Sequence, residues 1–385
     1  MKQKVIVLGN DHTNSMGVIQ SLGIEGYYVI AFVWGVKSGL LRTSHYLKEQ
    51  YSAARAEDCI DKIIAIFSDS KEKIPIIPCC DTAALYLEIN KNKLTNKFIF
   101  EYSTSDYTLE QLQQKDLQVS LAKKTGFNTP LSVEITTIEN IDNIPFNGPY
   151  LIKPLMSICG SKNDIIVCSN IIELKKKSAE VLSHTSRILV QQYIDKDYEI
   201  SILGCGMRSG DTLVPAKEIK LTIFPEKTGL ESKAIMQKLE DVALIAPIES
   251  IIKKIGYVGL FSVELMHNVA DNKYYFTEIN LRNDGAQPFV RKYGVNLPVI
   301  HVNDLLGLET KKNYKYNPGL YLWEMHHYQA WRHHNISFKT WITDIIKSKG
   351  FLITCKNDYK PFFRQFQSIG RGMLRMKKKN IEYYK

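Results

Sequence analysis

The sequence predicts an α/β fold, a parallel-sheet domain followed by a larger mixed region. Three observations carry this. Short β-branched runs alternate with helix-period segments over residues 1–110, the pattern of βαβ units. Strand-length runs then recur from residue 150 to residue 280, with a long helical stretch among them. The 385-residue chain is 44% apolar and 23% charged, an ordinary globular composition, and roughly 150 residues per domain gives about two to three domains.

The elements follow in order. Lys4–Leu8 is a strand ending at Gly9, and Val18–Leu22 begins a helical pattern. Tyr27–Val33 reads as the next strand, Asp58–Ser68 as an amphipathic helix, Ile74–Pro78 as a short buried strand and Ala83–Asn90 as a helix. The loop after the first strand, Gly9-Asn-Asp-His-Thr-Asn-Ser-Met-Gly17, lacks G-x-G-x-x-G, which counts against a nicotinamide dinucleotide site. A Rossmann-like domain that binds a substrate, or nothing, is expected there. From Thr108 to Thr125 a polar helical segment ends at Gly126, and Asn128-Thr-Pro130 marks a turn. Strands are expected at Tyr150–Lys153, Asp164–Val167, Arg187–Gln191, Tyr198–Leu203 and Val214–Lys220, and a helix over Ser232–Ile255. Gly259–Met266 and Lys273–Ile279 then flank a turn at Asn268–Asn272. After Pro298 the pattern becomes helical, then aromatic and basic.

Lys plus Arg (50) minus Asp plus Glu (40) gives +10, which favours phosphorylated ligands, nucleic acid or an anionic membrane face. Apolar stretches such as Val242–Ile248 fall far short of the ~20 residues that span a bilayer. No small-residue cleavage site follows the basic start Met1-Lys-Gln-Lys4, so no signal peptide is expected. The cysteines (59, 79, 80, 159, 168, 205 and 355) form no C-x-x-C pair and are odd in number, so a reduced, cytoplasmic chain is the simplest reading.

The richest stretch is Gly259-Leu-Phe-Ser-Val-Glu264-Leu-Met, followed by Tyr274-Tyr-Phe-Thr-Glu278-Ile-Asn280-Leu-Arg282. As a hairpin, it sets Glu264 near the end of one strand and Glu278 on the antiparallel partner. Glu278 and Asn280 are two apart and share a face. Two carboxylates and an amide oxygen make a hard oxygen site suited to Mg²⁺. Arg282 continues the same face, where a fixed cation can stabilise a transferring phosphoryl group. A solvated polar face would explain any one of these residues; the set E-x-N-x-R with Glu264 opposite favours a site.

These residues resemble the metal-binding strand of the ATP-grasp superfamily, which typically reads E-I-N-x-R after an acidic strand. The resemblance extends along the chain. Lys115 is similar to the first nucleotide lysine, upstream of the G-x-x-x-P segment Gly126–Pro130. Lys153, in Tyr150-Leu-Ile-Lys-Pro154, is similar to the second lysine, which contacts phosphate from a strand. Gly160-Ser161-Lys162 resembles the glycine loop that closes over the phosphates. Leu189-Val-Gln191-Gln192-Tyr193-Ile194 resembles the hinge whose backbone pairs with adenine, with Gln where the family usually opens with Glu. Glu199 falls at the ribose-binding carboxylate.

Lys220-Leu-Thr-Ile-Phe-Pro225, Gly256-Tyr-Val-Gly-Leu260, Tyr293-Gly-Val-Asn-Leu-Pro298 and the tail from Trp323-Glu324 through Trp341-Ile342 to Asp358-Tyr-Lys-Pro361-Phe362 resemble the carboxylate–amine ligase branch. That branch includes D-aspartate ligases and polysaccharide-cluster homologues. Its segment around Lys220 usually carries several basic residues; Ile219 and Thr222 hold two of those places here.

The resemblance implies an α+β ATP-grasp architecture: a Rossmann-like pre-ATP-grasp domain over 1–110, a two-subdomain ATP-grasp domain over 111–310 hinged near 189–194, and a small helical aromatic and basic extension over 311–385. It implies ATP and two Mg²⁺ ions, with Mn²⁺ as an alternative, held by Glu264, Glu278 and Asn280. Lys115, Lys153, the Gly160–Lys162 loop, Gln191–Ile194, Glu199 and Lys220 would hold the nucleotide, and Arg282 and Lys153 would act in catalysis. The activity implied is amide formation through an acyl phosphate, between a small carboxylate such as an amino acid and an amine on an anionic cell-envelope precursor. No nucleic-acid partner is implied, and oligomeric state is left open. Rival readings are a bicarbonate-using carboxylase or carbamoyl-phosphate-type enzyme and a catalytically silent nucleotide-binding protein.

Other features compete less well. His326-His327 and His333-His334 recur seven apart, which suits one helix face, but a partly exposed helix is the stronger reading. Cys79-Cys80 reads as packing. Asp81 either touches a ligand at the strand end or caps the next helix. The tail Arg371…Arg375-Met-Lys-Lys-Lys379, with Phe362, Phe363, Phe366, Met373 and Leu374 interleaved, reads first as a solvated end and second as a peripheral membrane contact.

Overall fold

Val5, Ile6, Val7 and Leu8 are fully buried, which a strand achieves when both of its faces are covered. They form the centre of β1 (Lys4–Asn10), the middle strand of a parallel sheet with β2 (Tyr28–Trp34), β3 (Leu47–Ala53), β4 (Ile74–Pro78) and β5 (Phe98–Phe100), in the order β3-β2-β1-β4-β5. A computed structural model of the chain describes residues 3–35, 39–94, 97–154, 166–224, 230–310 and 314–367. The chain divides into two compact units, one of Met1–Glu101, Leu221–Lys238 and Arg282–Lys385, the other of Tyr102–Lys220 and Leu239–Leu281.

In the first unit α1 (Thr13–Ile24), α2 (Ala56–Ile66), α3 (Asp81–Ile89) and α4 (Lys91–Leu94) connect the strands. Cys59, Ile60 and Ile63 of α2 pack on Ile30 and Phe32 of β2, each such apolar side chain contributing about 1.5–3 kcal/mol over exposure. The helix expected from Val18 begins at Thr13, because the His12 side chain caps it by accepting from the Asn14 N–H; a polar first turn hid that start. β3 and β5 were not expected. The first is a polar edge strand of Lys, Glu, Gln and Ser, and the second has three residues, too little to show a period.

The second unit opens with β6 (Tyr102–Ser103), α5 (Leu109–Leu112) and α6 (Lys115–Lys124). The one helix expected across Thr108–Thr125 is two: a capping box between Thr108 and Gln111 starts the single turn α5, and α6 starts afresh at Lys115. Next come β7 (Ser132–Ile135), β8 (Tyr150–Pro154), β9 (Ile166–Cys168), α7 (Ile171–Leu182) and β10 (Ile188–Gln192). The strands form the antiparallel sheet β7-β10-β8-β9, covered by α7 through Leu174 and Val181. β11 (Tyr198–Gly206) and β12 (Thr212–Phe224) follow.

Residues 230–238 overturn an expectation. They form a strand, β13 (Leu230–Lys238), and α8 (Val242–Ile255) begins only after the Asp241 cap. Glu, Lys, Ala, Met and Gln favour helix, but Ser232, Ala234 and Met236 are the fully buried positions, a period of two that the sheet environment imposes. β14 (Tyr257–Asn268) and β15 (Lys273–Asn280) complete the second unit as β15-β14-β11-β12, all antiparallel. Gly256 ends α8 in the left-handed region at φ 54°, where a Cβ would collide with Thr104; the chain turns there directly into β14.

The first unit closes with α9 (Gln287–Tyr293), α10 (Leu297–Leu306), β16 (Gly319–Leu322), α11 (Glu324–Arg332), α12 (Phe338–Lys347) and β17 (Gly350–Phe351). The C-terminal region is therefore not purely helical. β16 pairs antiparallel with β13 and parallel with β17.

Candidate active site

The hairpin reading holds in the second unit. Glu264 of β14 lies directly across from Glu278 of β15, and Ser262 across from Asn280. A bulge follows the Glu264–Glu278 pair, where the register resumes at Leu265 and Phe276, leaving Thr277 as the extra residue. Ser201 of β11 opposes Glu264, and Glu199 opposes Lys220 of β12. With side chains alternating, Glu199, Lys220, Glu264, Glu278 and Asn280 line one face.

Charges on that face pair across strands. Lys220 Nζ lies 3.1 Å from Glu264 Oε2 and 3.4 Å from Glu199 Oε2. Lys196 also donates to Glu199. Burial raises the Glu199 carboxyl, but Lys220 and Lys196 outweigh it and hold the group below its ordinary value. Lys115, the first residue of α6, sits 3.7 Å from Glu278 Oε2. Its position follows from Gln118, one turn on, whose amide donates to the carbonyls of Ile279 (2.9 Å) and Leu112 (2.8 Å) and accepts from the Ile279 N–H (3.2 Å). Asn280 Nδ2 reaches Ser262 Oγ at 3.4 Å and Glu278 Oε1 at 3.5 Å.

Lys153, on β8 opposite Leu189, is buried. Its ammonium is pushed down to about 8, first by burial and then by Lys115, against the pull of Glu278 and Glu199. It thus shares one electrostatic neighbourhood with Lys115, Lys196, Glu199 and Glu278. Gln191 and Ile194 are buried; the Gln192 N–H donates to Leu131 O at 2.7 Å and the Tyr193 N–H to Pro149 O at 3.0 Å. Gly160, Ser161 and Lys162 lie outside the described residues, as does the basic tail 371–379.

Arg282 departs from the sequence reading. β15 ends at Asn280, so strand alternation does not carry to Arg282. Its guanidinium belongs to the first unit, where Nε bonds Asp81 Oδ1 at 3.2 Å and Nη1 bonds Asp284 Oδ2 at 3.4 Å. Asp81 is the first residue of α3 and holds this arginine. His326 and His327 lie on α11, but His333 and His334 fall past its end. His327 is buried and 3.4 Å from Asp344. Among the described residues no three His, Cys, Asp or Glu side chains cluster.

Sequence reasoning missed Lys196, Gln118, Ser262 and the fully buried Glu218, which stands two residues before Lys220 on β12. Period-two counting from Lys220 and Glu264 finds Glu218 and Ser262; nothing in the sequence flags Gln118. The first unit also contains a cavity of about 200 Å³, beside the β1–α1 turn, lined by His12, Leu40, Trp323, Met325, His326 and Arg364 among others. The parallel sheet changes winding direction at β1 and β4, and open sheets place ligands at such strand ends. Burial, followed by the nearby His326, lowers His12.

No family model matches the chain. Over 87% of both chains it superposes on N5-carboxyaminoimidazole synthetase from Staphylococcus aureus with a TM-score of 0.67 at 15% identity. The chain has the ATP-grasp fold. The same synthetase complexed with ADP matches this chain at a TM-score of 0.66. A formate-dependent phosphoribosylglycinamide formyltransferase of a Nitratiruptor species is 25% identical over 218 residues, 54% of each chain. D-aspartate ligase of Enterococcus faecium is 22% identical over 260 residues, 60% of this chain and 58% of its own. The chain spans about half the length of the curated relatives it matches.

Proposed function

We propose that this protein is an ATP-dependent carboxylate–amine ligase that forms an amide through an acyl phosphate. The observation that carries the reading is the gathering of Lys115, Lys153, Lys196 and Lys220 with Glu199, Glu264 and Glu278 inside one unit. Paired charges of both signs at this density suit a polyphosphate with its cation.

In this reading Lys115 and Lys153 neutralise the ATP phosphates. Glu199 takes the ribose, Lys220 adds charge beside it, and the backbone of Gln191–Ile194 takes adenine. The donor set fits magnesium. Glu264 and Glu278 already accept positive charge from Lys220 and Lys115, and the amide N–H of Asn280 is spent on Ser262 and Glu278, leaving Oδ1 to a cation. All three supply hard oxygens. Glu264, Glu278 and Asn280 would hold Mg²⁺, one ion or two, with Mn²⁺ as the alternative, and the ion would supply positive charge against the charge that develops in phosphoryl transfer. Arg282, oriented by Asp81 and Asp284, is the proposed cation for the carboxylate. That carboxylate oxygen attacks the γ-phosphorus and ADP leaves. The amine then attacks the acyl carbon, inorganic phosphate departs, and the amine proton passes to solvent.

The names of the two curated relatives share a small carboxylic acid, formate in one and aspartate in the other. The proposed substrate is accordingly an amino acid or another small carboxylate. An amine on an anionic cell-envelope precursor is the finer proposal, resting on the D-aspartate ligase likeness and the net charge of +10.

Calorimetry with Mg-ATP tests the nucleotide site: Lys153→Ala weakens binding by about tenfold or more with an unchanged circular-dichroism spectrum. Unchanged affinity in that variant removes β8 from the site.

A further inference from the structure

Helix α12 leaves much of its apolar surface to solvent: Trp341, Ile342 and Ile345 are only half-buried. Asp344 is its buried residue, 3.0 Å from Lys233 and 3.4 Å from His327, while Phe338 and Ile346 are 59% and 77% exposed. Surface helices normally turn the apolar stripe inward. Exposed and half-buried rings form a continuous band. Phe338 lies 5.8 Å from Trp341, which stacks on Trp331 at 4.7 Å. Tyr328 links Trp331 (5.6 Å) to Phe366 (5.3 Å), and Phe362 joins Phe366 (4.8 Å) to Phe363, itself 60% exposed. None of these rings is buried.

The exposed charge of the segment that carries the band has one sign. Glu324, Asp344 and Asp358 are the acidic residues of segment 314–367, and each is buried. Glu324 accepts the N–H groups of Leu352, Ile353 and Thr354, and Asp358 accepts from Gln20, Ser44 and the His45 N–H. Arg332, Lys339, Lys347, Lys349, Lys356 and Lys360 are exposed. What this segment presents to solvent is aromatic and cationic.

We propose that this face docks on an anionic lipid surface. Aromatic and isoleucine side chains suit the boundary between headgroups and acyl chains, and lysines reach the headgroups from the same helix. A second copy of the chain would bring like charge against like. The contact is with the membrane surface: among the described residues no helix is long and apolar enough to cross it.

The test uses the full chain with vesicles of phosphatidylcholine alone or mixed with phosphatidylglycerol. The expected result is salt-sensitive binding to the mixed vesicles and quenching of tryptophan fluorescence by brominated acyl chains, lost in Trp331→Phe/Trp341→Phe. Phe338→Ser/Phe363→Ser lowers partitioning by about tenfold or more, and Lys339→Glu/Lys347→Glu lowers it as well, with circular dichroism unchanged in both. Four results overturn the proposal: no binding to anionic vesicles; binding that the Phe338→Ser/Phe363→Ser variant leaves intact; binding to single-stranded nucleic acid in place of vesicles; and a concentration-dependent dimer that the same variant dissolves.

Discussion

Lys153 carries a charge that the fold itself resists. Burial and Lys115 bring its ammonium down to about 8, so the unfolded chain binds more protons than the folded one between about 8 and its ordinary 10.5. The cost of keeping it charged is full below pH 8 and fades as pH rises, so this residue adds stability with increasing pH. Phosphate binding needs the charged form and runs the opposite way. ATP affinity is expected to fall from pH 8 to pH 10, approaching about tenfold per unit, with proton uptake on binding. Lys153→Ala flattens both trends, and calorimetry in buffers of differing ionisation heat checks them. In the proposed site, Glu278 would separate binding from chemistry. Glu278→Gln keeps nucleotide affinity within a few fold but lowers turnover by about 100-fold or more, since a neutral amide matches carboxylate charge poorly at a divalent ion. Near-normal turnover in that variant moves the metal site elsewhere.

At the scale of elements, what the sequence disclosed depended on periodicity. Strands buried on both faces, such as β1 and β4, are continuous apolar runs and were legible, as was the β14–β15 hairpin with its two carboxylates face to face. β3 hides because an edge strand of polar residues has no apolar run, and β13 hides because helix-favouring residues occupy a strand. Arg282 shows the same limit at the site: its place depends on β15 ending at Asn280, set by the fold rather than by local spacing. The hydrogen bonds of Gln118 from α6 to β15 were equally silent. Gln118→Ala strips bonds from Ile279 N–H, Ile279 O and Leu112 O, which should cost about 1–3 kcal/mol in a denaturant titration. By loosening Lys115 it should also weaken ATP binding. Lost stability with normal ATP affinity would show that Lys115 is placed by other contacts.

For the whole molecule, the account rests on chemistry that leaves a trace. An acyl phosphate formed in the site reacts with hydroxylamine as a small surrogate amine, and the product names the acid. The decisive measurement incubates the protein with Mg-ATP, hydroxylamine and a panel of amino acids and small carboxylic acids, recording hydroxamate by mass spectrometry beside ADP. The account predicts hydroxamate and ADP in equal amounts from at least one acid, both lost in Glu278→Gln. ADP release driven by bicarbonate alone, with no hydroxamate from any acid, would contradict it and replace the amide ligase with a bicarbonate-using enzyme.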